Sequence, residues 1–338
     1  MSPSELQSNN EKKVTNQEIS SDGAFKRQKN RFTTPFGNKV GELPVEAGRY
    51  RLLWSAVCPW AHRSVIVRRI LGLEEVISLG TASPMRPKLP HVDWEFSLDP
   101  NGVDPVLGVR YMSELYLNTD PDYTGRPTVP VMIDIKEQRV VNNDYFKLTN
   151  YLETVWKPFH KEKAPDLYPE HLREEIDALN DVIFHEVNNG VYKCGFAQSQ
   201  EAYEEAYDIL FHRLDELEER LATNRFLFGD YITDADVRLY ATLIRFDVAY
   251  YSAFKANRNR IVDFPNLWGY LRDLYQTPGF GDTTDFDAIK RHYHLSHHIA
   301  SNDQKGQTIL PKGPDLSGLH SEHDRQLLRN NTEKFLVH

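Results

Sequence analysis

The spacing of apolar positions changes from that of a strand to that of a helix at one cysteine early in the chain. Residues 51–57 form a short apolar run typical of a buried strand, and residues 64–71 carry apolar side chains at helical spacing. The period changes at Cys58, which Pro59 follows. Because proline is well tolerated in a first helical turn, where its missing N–H is not needed, the pattern predicts a strand-to-helix corner at Cys58.

The same pattern predicts the rest of the first half of the chain. The predicted elements are a strand at 75–79, a short helix at 112–118, strands at 128–134 and 139–143, and a helix at 144–156. Their order is a βαβ-ββα arrangement. Pro130 near the start of the third strand favours a cis-proline that turns the Val129 backbone toward a ligand.

From about residue 158 the pattern is helical almost throughout. The predicted helices are 172–187, 200–221, 237–251 and 265–275. Thr233 and Asp236 have the spacing of a capping box, which predicts a helix start. In the apolar helix that follows, Arg245 and Asp247 are candidate buried partners.

These patterns divide the chain into four parts. Residues 1–22 are polar and predict a mobile tail, and residues 23–157 form the first domain. Residues 158–300 form an all-helical domain, and residues 301–338 are a C-terminal extension.

Composition and charge narrow the class of protein. The chain has 338 residues, of which 40% are hydrophobic and 26% charged, as expected of a soluble two-domain protein. Its two cysteines are too few for a disulfide framework and its start has no apolar signal-peptide core, so a cytoplasmic location is expected. A net charge of -9 and the lack of a long apolar run disfavour nucleic-acid and membrane partners. A small-molecule substrate is therefore expected.

The chemistry is predicted to centre on Cys58. Unpaired N–H groups and the partial positive charge of a first helical turn lower a thiol pKa, and the thiolate is the nucleophile. His62 and Arg63 are candidates for further positive charge. Position 61 is alanine, so the pattern indicates a monothiol reaction through a mixed disulfide with a small thiol. The alternative is that Cys58 is one more buried small hydrophobe.

Other candidate residues allow two interpretations each. Trp94, in the long irregular stretch 81–105, either pins this loop to the core or covers the thiol. Asp144 either receives an amine or caps a helix. Cys194 is interpreted as an inert packing cysteine. The cluster His292, His294, His297 and His298 suggests a metal site, but this interpretation is disfavoured because no carboxylate or cysteine partner has the required spacing.

Several motifs, in order, resemble one family. They are Gly48-Arg49-Tyr50, Cys58-Pro59-Trp60-Ala61-His62-Arg63, Tyr123-Thr124-Gly125-Arg126, Thr128-Val129-Pro130-Val131, Val191-Tyr192-Lys193, Gly229-Asp230-Tyr231-Ile232-Thr233-Asp234-Ala235-Asp236, Phe246-Asp247 and Arg291-His292-Tyr293. A thioredoxin-like domain followed by an all-helical domain resembles the cytosolic glutathione transferases. The motifs resemble the Xi class, the glutathionyl-hydroquinone reductases.

The resemblance implies a fold, an activity and catalytic residues. The implied fold is an N-terminal thioredoxin-like βαβ-ββα domain with an all-helical glutathione-transferase C-terminal domain. The implied reaction removes glutathione from S-glutathionyl-hydroquinones through a Cys58 mixed disulfide. It gives hydroquinone and oxidised glutathione. Tyr192 and Tyr293 correspond to tyrosines whose hydroxyls bind the oxygen of the aromatic substrate.

The resemblance also implies binding residues. Glutathione is the expected co-substrate, and the positions assigned to it are Trp94, Arg126, Val129, Pro130, Asp144 and Tyr145. Trp60 and Tyr250 are assigned to the aromatic substrate. This chain has Asp144-Tyr145 where the family has Glu-Ser, the pair that grips the γ-glutamyl end of glutathione. The resemblance implies a homodimer.

Two alternative functions stay open from the sequence. The first is general deglutathionylation of small disulfides, as in the Omega-type cysteine transferases. The second is a non-catalytic protein that binds an aromatic ligand at a degenerate thiol site.

Overall fold

A four-stranded mixed sheet forms the centre of the first domain in the computed structural model, which describes residues 18–86, 92–296, 309–329 and 332–337. The strands are β1 (Tyr50–Trp54), β2 (Ser78–Thr81), β3 (Val131–Asp134) and β4 (Arg139–Asn142). Their order in the sheet is β2-β1-β3-β4, with β1 parallel to β2 and the other pairs antiparallel. This topology confirms the predicted βαβ-ββα arrangement.

The helices of the first domain are α1 (Pro59–Leu71), α2 (Met112–Thr119) and α3 (Leu148–Glu153). Helix α1 has Pro59 in its first turn and Gly72 as its left-handed C-cap, with φ of 73°. Nearly all of α1 is buried, because it packs against α3 and against a helix of the second domain. The corner at Cys58 therefore lies at the junction of the two domains.

The second domain is helical, as predicted. Its helices are α4 (Arg173–Ile183), α5 (Gly190–Phe196), α6 (Gln200–Leu221), α7 (Asp234–Arg245), α8 (Pro265–Tyr275) and α9 (Phe286–Leu295). Helix α7 starts at the predicted capping box, where the Asp236 carboxylate accepts a hydrogen bond from the Thr233 N–H at 2.8 Å. It is completely buried and continues through a π-helical turn, Phe246–Tyr250, into Tyr251–Ala253.

Several predicted elements of the first domain have other bounds in the structure: the first strand ends at Trp54 and the third begins at Val131. The second strand begins at Ser78, because residues 74–76 form the turn that follows α1. The helix predicted at 144–156 spans only Leu148–Glu153. It starts late because the Asp144 carboxylate accepts hydrogen bonds from the N–H groups of Phe146 and Lys147. These bonds hold a turn in front of the helix. Capping is therefore one role of Asp144.

The predicted pairing of Arg245 with Asp247 is wrong. The Asp247 carboxylate accepts hydrogen bonds from the backbone N–H groups of Ile261 and Val262. The Arg245 guanidinium points to the other domain and donates to backbone carbonyls there. Residues two positions apart on a helix lie on different faces, so the two side chains do not meet.

Both ends of the described chain pack on the domains. Of the predicted tail, residues 1–17 lie outside the described residues, whereas Glu18 forms an ion pair with Arg126. In the C-terminal extension, the Lys334 carbonyl accepts a hydrogen bond from the Ile232 N–H, and Lys334 Nζ lies 2.8 Å from the Asp273 carboxylate. No helix in the described ranges is long and apolar enough to cross a bilayer.

Candidate active site

The Cys58 thiol lies at the start of α1 and faces the third strand. Cys58 occupies the N-cap position of the helix, and its side chain is 9% exposed. Its Sγ donates to the Val129 carbonyl oxygen across 3.3 Å. The Val129–Pro130 peptide bond is cis, which confirms the prediction for this proline.

The predicted lowering of the Cys58 pKa is wrong for the ligand-free protein. Burial raises the pKa of the thiol, because a thiolate loses solvation away from water. The backbone N–H groups of Ala61 and Trp60, and the positive charges of Arg245 and Arg27, act in the opposite direction. The helix terminus therefore lowers the Cys58 pKa as predicted, but burial of the thiol raises it by more.

His62 does not add the predicted positive charge. Burial lowers the pKa of its imidazole well below the ordinary value, so the ring is neutral near pH 7. Its Nδ1 lies 3.1 Å from an Arg245 nitrogen and its Nε2 lies 2.8 Å from the Thr283 hydroxyl. Arg63 is buried and donates to the Asn188 side-chain oxygen at 2.7 Å. Burial lowers the pKa of Arg63 to about 9, which leaves it charged near pH 7.

Three tyrosine hydroxyls form a chain in the second domain. The hydroxyl oxygens of Tyr192 and Tyr293 are 2.6 Å apart, and those of Tyr250 and Tyr293 are 3.2 Å apart. Burial raises the pKa of all three hydroxyls, so they stay protonated near pH 7. Three O–H donors share two contacts, which leaves one O–H able to donate to a ligand. All three tyrosines were predicted site residues.

Trp60 joins the two halves of the site. Its ring centroid is 5.9 Å from that of Tyr192 and 5.1 Å from that of Tyr145. Tyr145 in turn stacks on Phe184 with a centroid distance of 6.0 Å. The bulky residue at position 145 therefore fills the space beneath Trp60 as part of an aromatic wall.

Trp94 is buried between two other side chains. Its ring stacks on His292 at 5.7 Å with an interplanar angle of 15°, and the Arg86 guanidinium lies 4.5 Å from the same ring. His292 also contacts the Pro84 carbonyl at 2.8 Å. These contacts agree with the interpretation that Trp94 pins the loop 81–105 to the core. They also hold His292 in place, directly before Tyr293 in α9.

The predicted polar positions for glutathione already have partners in the N-terminal segment, residues 18–36. Arg126 Nη2 donates to Glu18 Oε1 at 2.6 Å, and the buried Arg126 Nε has no hydrogen-bond partner in the described ranges. The Asp144 carboxylate accepts from the Asn30 side chain at 3.3 Å. The segment therefore borders this side of the site.

Sequence reasoning missed two residues of the site. Arg27 places its guanidinium carbon 4.5 Å from the ring centroids of both Trp60 and Tyr192. Arg245 donates to the carbonyls of Ala56 and Val57, directly before Cys58. The basic, loop-like composition of residues 23–41 was the only sequence signal for Arg27.

The remaining candidates are Cys194 and the histidines near the end of the second domain. Burial raises the pKa of the Cys194 thiol to about 12, which agrees with a packing role. His294 Nε2 lies 3.0 Å from the Val248 carbonyl oxygen. His297 and His298 are not among the described residues. Among those that are, no group of three or more His, Cys, Asp or Glu side chains could hold a metal ion.

Comparison with known proteins agrees with this geometry. The family models for the N-terminal and C-terminal domains of glutathione S-transferase match residues 57–155 and 200–273. Glutathionyl-hydroquinone reductase YqjG of Escherichia coli is 41% identical over 303 residues, covering 87% of this chain and 88% of YqjG. Glutathionyl-hydroquinone reductase PcpF of Sphingobium chlorophenolicum is 38% identical, covering 87% of this chain and 91% of PcpF.

Solved structures give the same assignment. The glutathione-bound structure of YqjG superposes with a TM-score of 0.79 at 40% identity, covering 90% of this chain and 98% of that chain. Glutathione transferase Xi from Phanerochaete chrysosporium superposes with a TM-score of 0.81 at 39% identity, covering 89% of this chain and 95% of that chain. Because both domain models match and these relatives cover most of the chain, it belongs to the glutathione S-transferase family and, within it, to the Xi-class glutathionyl-hydroquinone reductases.

Proposed function

We propose that the protein is a glutathione-dependent reductase of S-glutathionyl-hydroquinones, with Cys58 as its nucleophile. The observation that carries this proposal is that the Cys58 thiol lies near the hydrogen-bonded tyrosine hydroxyls, one of whose O–H groups is free to donate to a substrate. Trp60, two residues after Cys58, packs against Tyr192 of that chain. Relatives that carry the name glutathionyl-hydroquinone reductase support the substrate class.

The proposed reaction has two steps, cleavage of a carbon–sulfur bond and a thiol–disulfide exchange. In the first, the Cys58 thiolate attacks the sulfur of the conjugate and forms a disulfide with glutathione. The bond between that sulfur and the ring breaks, its electron pair moves into the ring and its oxygen, and the ring carbon takes a proton. In the second step, the thiolate of free glutathione attacks the glutathione sulfur of the mixed disulfide. Oxidised glutathione leaves and the Cys58 thiolate is restored.

The tyrosines act where negative charge develops. As the bond to sulfur breaks, charge appears on the phenolic oxygen of the leaving hydroquinone. A donor already held in place stabilises that charge without reorganisation. Tyr192 and Tyr293 supply the donor, and Tyr250 orients Tyr293 through the 3.2 Å contact.

The first domain holds glutathione. We assign the amine of its γ-glutamyl end to the Asp144 carboxylate and its peptide backbone to Val129 beside Pro130. Trp94, Arg126 and Tyr145 complete this side. The Val129 carbonyl now accepts from the Cys58 thiol, so a glutathione amide bound there displaces the thiol proton. Displacement removes a hydrogen bond that favours the neutral thiol, and the Cys58 pKa falls.

A non-catalytic binding protein for aromatic ligands is the second candidate. The observation in its favour is the raised pKa of the Cys58 thiol, because a neutral thiol is a poor nucleophile. A general deglutathionylating enzyme of the Omega type would use the thiol without needing the tyrosine chain.

A substrate comparison separates these functions. Hydroquinone release from a glutathionyl-hydroquinone is measured beside reduction of a glutathione mixed disulfide with a small thiol, for wild type and Tyr293→Phe. We expect both reactions in wild type and loss of only the first in Tyr293→Phe. Retention of both reactions in Tyr293→Phe, or disulfide reduction alone in wild type, favours the Omega-type activity. No reaction of either substrate favours the binding protein.

We further propose that the protein works as a homodimer in the cytoplasm, with residues 23–157 and 158–300 as its two domains. Two free cysteines suit a reducing compartment. Light scattering of the purified protein measures the oligomeric state, and a monomer would contradict the dimer.

A further inference from the structure

Four arginines lie close enough to the candidate nucleophile for their charges to interact with it. The charges of Arg245 and Arg27 act on the Cys58 thiol, and Arg63 and Arg86 are in turn affected by Cys58. Their hydrogen-bond acceptors in the described part of the chain are backbone carbonyls, asparagine side chains and the His62 ring. None of the four forms an ion pair with a carboxylate there, in contrast to Arg238, which lies 2.7 Å from Asp234.

Arg245 approaches Cys58 from the second domain. Its Nε and Nη2 donate to the carbonyls of Val57 and Ala56 at 3.0 Å and 2.8 Å. Its Nη1 donates to the Ala241 carbonyl at 2.8 Å and lies 3.1 Å from His62 Nδ1. The side chain is fully buried. A buried cation held only by neutral dipoles is costly unless an anion forms beside it.

Arg27 approaches from the N-terminal segment. Its guanidinium lies 4.5 Å from the rings of Trp60 and Tyr192, and its Nε donates to the Asn189 side-chain oxygen at 2.8 Å. Its Nη2 is buried and has no hydrogen-bond partner among the described residues. The N–H groups on Nη2 are therefore free to meet an anion in the site.

The histidine and the three tyrosines near Cys58 carry no charge at neutral pH. His62 is neutral, and Tyr192, Tyr250 and Tyr293 are protonated, because burial disfavours the charged form of each. Burial also lowers the pKa of Arg63 and Arg86 to about 9, so both stay charged near pH 7. The carboxylate that acts on Arg63 is Asp234, which forms an ion pair with Arg238. Glu18 and Asp93 are the carboxylates that face Arg86. The Glu18 carboxylate is held by Arg126.

We propose that Arg245 and Arg27 together provide the counter-charge of the Cys58 thiolate. The proposal deepens the proposed function, since it rests on Cys58 as the nucleophile. Arg245 binds the carbonyls of the two residues before Cys58, and Arg27 lies against the ring of Trp60, two residues after it, so a thiolate at Cys58 forms near both cations. The same charges then favour the anionic oxygen of a leaving hydroquinone beside Tyr192.

The test is a pH titration of the Cys58 thiolate by its absorbance near 240 nm in the ligand-free protein. All variants carry Cys194→Ala so that Cys58 alone is followed, and the Cys58→Ala protein supplies the tyrosine background. Arg27→Gln and Arg245→Gln remove each charge, and Arg27→Lys restores one. Arg31→Gln is the matched control for Arg27, because Arg31 lies in the same segment and is paired with Asp120.

We expect Arg27→Gln to raise the titration midpoint by about half a pH unit or more, and Arg245→Gln by about one. Arg27→Lys should return toward wild type, and the exposed control Arg31→Gln should stay within about 0.2 of the wild-type midpoint. Far-ultraviolet circular dichroism establishes which variants fold. If Arg245→Gln does not fold, Arg27→Gln and Arg27→Lys decide the matter.

A folded Arg27→Gln or Arg245→Gln protein with the wild-type midpoint overturns the proposal, as does an equal shift in Arg31→Gln. Failure of the proposed function is a separate result. It would leave these shifts in place while Cys58 takes no glutathione from a conjugate.

Discussion

The two sides of the cleft around Cys58 are built differently. On the first-domain side, Arg126 and Asp144 already bind side chains of the N-terminal segment, Glu18 and Asn30. On the second-domain side, the hydroxyls of Tyr192, Tyr250 and Tyr293 hydrogen-bond one another, and one O–H is left to donate to a ligand. Glutathione must therefore displace Glu18 and Asn30 to reach Arg126 and Asp144 on the first-domain side. On the second-domain side, a substrate oxygen can accept the remaining tyrosine O–H without displacing another group. Substitutions should therefore change glutathione affinity on the first side and turnover on the second.

The largest effect is expected on the tyrosine side. Tyr293→Phe removes the hydroxyl that links the other two and should lower turnover of a glutathionyl-hydroquinone by about 100-fold, with little change in KM. Tyr203→Phe is the control, because the Tyr203 hydroxyl donates to the Lys255 carbonyl outside the site. Steady-state kinetics with a fixed conjugate measure both. A larger change in KM than in kcat for Tyr293→Phe would remove the distinction between the two sides.

On the glutathione side, Asp144→Asn should raise the KM for glutathione by about tenfold. The amide oxygen can still accept from Phe146 and Lys147, but the charge that holds an amine is lost. Turnover at saturating glutathione should be unchanged. An unchanged KM would mean that Asp144 serves only to cap the turn.

Glu18→Gln should have a smaller effect of opposite sign. The Glu18 carboxylate occupies Arg126, so its neutralisation frees that guanidinium for a carboxylate of glutathione. We expect the KM for glutathione to fall about threefold, because exposed or half-buried ion pairs are weak. Asp22→Asn, in the same segment, controls for the change in net charge. A rise in KM for Glu18→Gln would show that Glu18 supports the site instead of blocking it.

The smallest expected effect is a shift in the Cys58 titration on binding of S-methylglutathione, which cannot exchange thiols. In the ligand-free protein burial raises the Cys58 pKa, so alkylation by iodoacetamide should keep accelerating as pH rises above the ordinary thiol value. When an amide of S-methylglutathione binds the Val129 carbonyl, the midpoint of the Cys58 titration should fall by about half a pH unit. The 240 nm titration with and without the analogue measures it. A midpoint that rises on binding would contradict the proposed displacement of the thiol proton.

Local pattern predicted most of the fold. The period change at Cys58, the capping box at Thr233 and the cis-proline at Pro130 depend on neighbouring residues, and the structure has all three. Helices Gln200–Leu221 and Pro265–Tyr275 have the predicted ends, because each apolar stripe begins and stops at clear signals. The prediction that a helix starts at Asp144 was wrong. The Asp144 carboxylate accepts hydrogen bonds from two backbone N–H groups, which holds a turn there, and the helix starts at Leu148.

The site was harder to predict because its electrostatics depend on depth. No spacing rule brings Arg27 to Trp60, or turns Arg245 toward the loop before Cys58 and away from Asp247. The predicted direction of the Cys58 pKa was wrong for the same reason. The helix terminus can be recognised in the sequence, but the degree of burial that outweighs it follows only from the packed domains.

The most direct test of the account is the mass of the intact protein after incubation with a glutathionyl-hydroquinone in the absence of free glutathione. Wild type and Cys194→Ala should each gain one glutathione and release one hydroquinone, and Cys58→Ala should gain none, because Cys194 is buried with its thiol pKa raised to about 12. Glutathione on Cys58→Ala, or no gain by wild type, would contradict the assignment of Cys58 as the nucleophile.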